Sequence, residues 1–256
     1  MLPPLSGNST RFIHLFPVGI RPPLLPCHRD EEEMTDMKKV VRRKLTFAQL
    51  LQDAGDLLEI ERGETIYQPG DSSDSIYLVE KGRVKLVYLD ESGKKLTLAI
   101  LDPGEIFGEM CLVGEETRRH QASAIEDAVV RRIRRKEFAR IMEEEPLYLQ
   151  LLLEHFARRV REFEEALEDF AFKDIQARLS RRLLKLSDEY GVKTKDGILI
   201  SFQLTHKELA DMIGSARENT TLALNRFARE GILDKSRYRI IIKNEDELRA
   251  KINAQN

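Results

Sequence analysis

Between residues 58 and 133 apolar residues come in short runs, at 58–61, 65–67, 75–79, 83–88, 95–101, 122–124 and 128–133. The runs are rich in Val, Ile, Leu and Tyr. They are separated by turn-forming groups such as Gln68-Pro69-Gly70-Asp71, Glu80-Lys81-Gly82, Asp90-Glu91-Ser92-Gly93 and Asp102-Pro103-Gly104. Many short strands at close spacing predict a β-sandwich or barrel. After Pro146 the period changes. Apolar residues recur at Leu149, Leu152, Phe156, Val160, Phe163, Leu167 and Phe170, with Glu154, Arg158, Arg159, Arg161, Glu165 and Glu168 on the other faces. That is close to a heptad seam and predicts a long helix. Two uses of its apolar face stay open: cover for its own barrel, or a two-chain coiled coil. At about six turns of ~3.6 residues the seam is longer than a small barrel needs, which favours the coiled coil.

The remainder predicts helices with a β interlude: a helix at 174–190, a short strand at 197–202, helices at 205–213 and 216–230, and a β wing at 232–242. The segment from Leu204 to Thr220 has the mechanics of a helix-turn-helix. Thr205 is placed to cap the first helix, and Glu208 three residues on completes a capping box. Leu209 and Ala210 suit a close helix pair, Gly214 allows the sharp turn, and Ser215 is placed to cap the second helix. That helix opens Ala216-Arg217-Glu218-Asn219-Thr220. At the start of a recognition helix, Arg217 can pair with guanine and Glu218 can accept from a cytosine amino group. Asn219, Thr220 and the exposed amides would hold phosphates.

Composition refines this picture in three ways. The net charge of −2 hides an asymmetry: from residue 174 onward 16 Lys and Arg stand against 12 Asp and Glu, so the C-terminal part carries the positive charge. The two cysteines, Cys27 and Cys111, form no paired or clustered pattern, which disfavours disulfides, zinc and iron–sulfur clusters and points to a reducing cytoplasm. No apolar run approaches the ~18 residues of a membrane span. Six of nine prolines fall in the first 26 residues. Residues 1–44 therefore read as a disordered extension, or as a coding start placed too early, with Met34 or Met37 the first residue. No nucleophile–base set, metal cluster or Walker loop speaks for an enzyme.

The chain resembles the catabolite activator/fumarate–nitrate regulator (Crp/Fnr) superfamily over about residues 47–245. The resemblance rests on three ordered motifs, followed by the long helix and the Arg217-Glu218 recognition start. The motifs are Gly63-Glu64-Thr65-Ile66-Tyr67-Gln68-Pro69-Gly70-Asp71, Ser75-Ile76-Tyr77-Leu78-Val79-Glu80-Lys81-Gly82-Arg83-Val84, and Pro103-Gly104-Glu105-Ile106-Phe107-Gly108-Glu109. It implies an α+β chain: a cyclic-nucleotide-binding-type β-barrel of the jelly-roll kind at 45–145, a dimerisation helix at 146–172 and a winged helix-turn-helix at 173–250. It also implies an effector cassette in which Gly108, Glu109 and Met110 meet a phosphorylated ligand and Arg118 or Arg119 pairs with its charge. Phe163 and Glu164 stand where a cyclic-AMP receptor presents a Thr-Ser pair to adenine, and Arg118-Arg119-His120-Gln121 departs from that receptor's Arg-Ser-Ala. The effector is therefore left as a cyclic nucleotide, another small molecule, or none. A haem held by Cys111 and His120 is a remoter reading, since a loop histidine and a buried thiol explain both residues.

For DNA the resemblance carries over to Arg217 and Glu218, the family's first two base readers, and the candidate DNA-facing set is Thr205, Ser215, Ala216, Arg217, Glu218, Asn219, Thr221 and Leu222. Leu222 replaces the family's third base reader, an Arg, and can touch a thymine methyl but not read guanine. The expected partners are palindromic duplex DNA, a second copy of the chain and RNA polymerase. The alternatives are a constitutive DNA binder without a cyclic nucleotide and a regulatory module of a signalling assembly without DNA binding.

Overall fold

The computed structural model describes residues 46–144, 147–236 and 239–253; the proline-rich start and its two readings lie outside them. Short helix α1 (Phe47–Leu51) is capped by Thr46 and Gln49. It leads into eight strands: β1 (Asp56–Ile60), β2 (Thr65–Tyr67), β3 (Ser75–Lys81), β4 (Val84–Leu89), β5 (Lys95–Leu101), β6 (Ile106–Phe107), β7 (Gln121–Ala124) and β8 (Ala128–Arg134). They form two antiparallel four-stranded sheets, ordered β1-β8-β3-β6 and β2-β7-β4-β5. The two inner faces meet on Tyr67, Tyr77, Val79, Val84, Leu86, Phe107 and Val130. β3 is buried on both sides because its other face, Ile76 and Leu78, packs against α1 and against helix α2 (Arg135–Glu144) through Phe47, Leu51 and Phe138. A strand covered twice needs apolar residues at consecutive positions, which is why 75–79 shows no alternation.

Helix α3 (Leu147–Phe172) runs for 26 residues. Tyr148, Leu151 and Leu152 pack against the cluster between barrel and helices, and His155 and Arg159 are buried there too. Its opposite face is bare. Leu149, Leu153, Val160, Phe163, Leu167 and Phe170 are each at least 40% exposed. The helix thus covers its own barrel with one face and leaves an apolar stripe bare on the other. One position changes: Leu153 and not Leu152 lies on the bare stripe. With Phe156 the stripe then steps strictly four, three, four, three, four, three, which is the heptad spacing of a coiled-coil seam.

Asp174 accepts a hydrogen bond from the Ala177 amide and starts helix α4 (Ile175–Tyr190). There follow hairpin β9 (Gly191–Thr194) and β10 (Gly197–Ile200), helices α5 (His206–Met212) and α6 (Arg217–Arg229), wing strands β11 (Leu233–Ser236) and β12 (Arg239–Ile242), and helix α7 (Glu245–Asn253). The third sheet is ordered β11-β12-β10-β9. Leu179, Leu183, Leu209, Leu224, Phe227 and Leu248 form the core of this C-terminal part, and two barrel residues, Ile100 and Ile125, pack into it. No helix among the described residues is long and apolar enough to cross a membrane.

Candidate effector site and nucleic-acid interface

Gly108 ends β6 in the left-handed region at φ 79°, and a Cβ there would lie 2.8 Å from the Arg118 guanidinium. The glycine is required twice, by backbone sign and by that close approach. It opens the 3-10 turn Glu109–Val113, which buries Glu109 and leaves Met110 half-buried. Arg118 is only 5% exposed. Its Nη1 donates to the Gly108 carbonyl at 2.9 Å and its Nη2 to the Ser75 carbonyl at 2.5 Å. The guanidinium lies 4.5 Å from the Tyr67 ring centroid and 5.6 Å from that of Tyr77. Its Nε is buried with no partner. Arg119 is 77% exposed and pairs with Glu115 at 3.1 Å. Of the two arginines left open by the sequence, Arg118 faces the barrel interior.

A second arginine was not picked out by sequence reasoning. Arg159 of α3 is 8% exposed, with one guanidinium nitrogen lacking any partner. Neither Arg118 nor Arg159 forms an ion pair among the described residues. Their charges reach a common histidine. His120 is held below the usual imidazole range, at about 4, by burial first and then by Arg159 and Arg118. Its Nε2 lies 3.1 Å from the Tyr67 hydroxyl, whose phenol burial pushes up despite Arg118. The signal for Arg159 in the sequence was a second basic residue three positions after Phe156, where a solvated face was equally legible.

Phe163 lies beside this site through Arg159, whose guanidinium sits 5.4 Å from its ring centroid; Glu164 is exposed and lies on no cassette contact. Cys111 is fully buried and burial pushes its thiol up, so it is a small core residue with no thiolate to offer. The described residues contain no cluster of three or more His, Cys, Asp or Glu able to hold a metal.

The helix-turn-helix is built as its first cap implied. Thr205 Oγ1 accepts from the Glu208 amide at 3.1 Å, and the Glu208 carboxylate accepts from the Thr205 amide and hydroxyl at 2.9 Å each. Gly214 turns the chain at φ 58°, with a Cβ there only 2.5 Å from the Phe170 ring. Ser215 does not cap the second helix. The N-cap is Ala216, with no side-chain cap: Ser215 lies one residue before it, its amide closing the turn to the Ala210 carbonyl at 3.0 Å and its hydroxyl donating to Ala216 O. Thr220 is also corrected: it is fully buried and donates back to Ala216 O at 3.1 Å, so no phosphate reaches it. Arg217, Glu218, Asn219 and Leu222 are exposed, Leu222 by 66%. Thr221 is half-buried and bonded to His206 Nδ1 at 3.0 Å. Asn225 continues the exposed face one turn further and meets Lys235 of the wing. Burial first, and then Lys235 and Arg217, hold the His206 imidazole below its usual range; the two cations that act on it stand at this face.

A double-sheet barrel, a long helix with a bare heptad stripe and a winged helix-turn-helix with an open, basic reading face define a DNA-binding transcription regulator. Residues 57–145 match the cyclic nucleotide-binding domain model, and residues 177–251 match the Crp-like helix-turn-helix domain model. The cyclic AMP receptor protein of Thermus thermophilus is 34% identical over 172 residues, covering 67% of this chain and 76% of that one. The global nitrogen regulator of Synechococcus elongatus is 31% identical over 188 residues, covering 73% and 85%. A Crp/Fnr-family transcriptional regulator of T. thermophilus superposes with a TM-score of 0.67 at 27% identity, covering 78% of this chain and all of that one. The chain belongs to the Crp/Fnr family of transcription regulators.

Proposed function

We propose that this regulator works in the cytoplasm as a homodimer paired through residues 146–172, reads a palindromic DNA site and contacts RNA polymerase, and that an anionic effector in the barrel gates it. The observation that carries the effector reading is the pair of buried guanidinium groups, Arg118 and Arg159, each with an unpartnered N–H and neither with a carboxylate partner among the described residues. A buried charge without a counter-charge is costly, and an anion that accepts from both removes that cost. A phosphate of a cyclic or linear nucleotide fits, as does a small organic anion. Glu109 would take a ligand hydroxyl and Phe163 the face of a base or chain. Calorimetric titration of the purified protein with a panel of nucleotides and small dicarboxylates tests this. Heat for at least one anion that disappears in Arg118→Met supports the reading, and no heat for any overturns it in favour of a constitutive DNA binder.

For DNA, the exposed Arg217 and Glu218 keep a G·C pair in each half-site. Arg217→Ala is expected to lose about 1–3 kcal/mol on the cognate pair and little on sites already mutated there. Competition binding on both duplexes measures it; equal weakening on every sequence would reduce Arg217 to a phosphate contact.

A further inference from the structure

The chain passes from α3 to the helix-turn-helix part through Lys173 and Asp174, and Arg181 of α4 pairs with Asp169 of α3 at 2.7 Å close to that joint, which holds the near end of α4. α4 has 16 residues, so at 1.5 Å per residue its far end stands about 24 Å from this joint. A tilt of 10° there moves that end by about 4 Å, more than the 3.4 Å rise of one base pair. Something must hold the far end if both reading helices of a dimer are to meet grooves at a set separation.

The barrel supplies that hold. At the far end of α4 the Tyr190 hydroxyl donates to Asp102 at 2.7 Å. Arg83 Nε donates to the same carboxylate at 2.9 Å, and its Nη1 to Glu126 at 2.8 Å. The Arg83 guanidinium lies over both Tyr190 and Phe202, 4.8 and 5.2 Å from their ring centroids. Lys85 of β4 reaches the capping carboxylate of Glu208 at 3.2 Å, so the N-terminus of α5 is tied to the barrel by the same residue that caps it. Arg62 bonds Gln203 at 3.0 Å, and Ile100 and Ile125 plug into the C-terminal core. On the other side, the Gly214 turn rests on the Phe170 ring. Docking leaves Arg217, Glu218 and Leu222 uncovered, so the held position is one that presents the reading face.

We propose that Arg83, Lys85 and Asp102 of the barrel, acting through Tyr190 and Glu208, are positioning residues that set the half-site spacing this regulator accepts. The proposal rests on the dimeric, palindrome-reading function above. When the heads are held, the second half-site is bound at high effective concentration only at one spacing. Loosened heads give up part of that gain but tolerate other spacings.

The test takes the best palindrome selected by the wild-type protein from a random pool, then the same duplex with one, two or five base pairs inserted at its centre, and an isolated half-site. Wild-type protein is expected to lose about 50-fold or more on insertion. The Tyr190→Phe/Lys85→Met double variant is expected to lose less than about 5-fold, while binding the isolated half-site within about 2-fold of wild type. Tyr190→Phe alone, which removes a single oxygen, should fall between the two and serves if the double variant melts early. Unchanged spacing discrimination in both variants overturns the positioning role and leaves the dimer intact as a reading. A wild-type protein that binds the palindrome no better than the half-site instead overturns the dimeric reading, and the positioning role with it.

Discussion

Replacing Val160 and Leu167 by glutamate is expected to give a folded monomer whose affinity for the palindromic site falls by at least about 100-fold. Both side chains are more than half exposed on the single chain, 54% and 69%, so neither supports the protomer's own core. Both lie on the stripe from Leu149 to Phe170 that steps strictly by four and three. Apolar residues repeated at that spacing over more than three heptads bury their face only against another helix. Four carboxylates facing one another across such a seam repel and must be desolvated, which removes the pairing. Loss of pairing converts one bivalent contact with DNA into two weak ones. Sedimentation and operator binding, with circular dichroism as the control on folding, measure the outcome. A variant that stays dimeric would place the interface elsewhere on the chain.

Acid is expected to loosen the joint between α3 and the barrel well before carboxylates protonate. His155, 6% exposed and set edge-on to Phe47, is held at about 4 by burial and by Arg158 and Arg159. His120 is held at about 4 by burial, Arg159 and Arg118. A free imidazole takes its proton near 6.5. Between about 6.5 and 4 the unfolded chain therefore binds more protons than the folded one, and stability falls as the pH drops through that window. For His155 the loss is on the order of 2 kcal/mol by pH 5. Asp169 and Glu189, whose carboxyls burial pushes up, oppose the trend, and Glu208, held low mainly by its Thr205 and Lys85 bonds against the pull of burial, adds to it. Urea midpoints at pH 7.5 and 5.0 measure the slope, and His155→Leu should flatten it by His155's share. An unchanged slope in that variant would show that His155 is protonated in the folded protein.

Much of the architecture was legible because local chemistry writes it. The strands at 65–67 and 95–101 emerge at their sequence-read bounds, since short apolar runs between Gly63 and Pro69-Gly70, and between Ser92-Gly93 and Pro103-Gly104, leave few other solutions. The Thr205–Glu208 capping box and the Gly214 turn also follow from residues within ten positions of one another. Short elements were not legible. β6 is two residues long, α2 follows β8 without a break, and α7 carries its apolar Leu248 among acids; none has enough period to stand out. Ser215 misled because the helix begins one residue later than the sequence suggests: Ala216 takes the N-cap position, and the Ser215 hydroxyl donates to the Ala216 carbonyl instead of accepting from an amide of the first turn.

Sequence by itself determined that the chain has a strand-rich barrel, a long apolar-striped helix and a helix-turn-helix pair, because hydrophobic period, turn residues and caps act between neighbours in the chain. It also singled out Arg217 and Glu218 as candidate base readers, and both lie exposed at the start of one helix. The tertiary structure decided which of two adjacent arginines turns inward, that Arg159 joins it from a helix 41 positions away, and that Lys85 and Asp102 hold the DNA-reading part in place. Those are contacts between distant segments, fixed by how sheets and helices pack, and no local pattern encodes their distance.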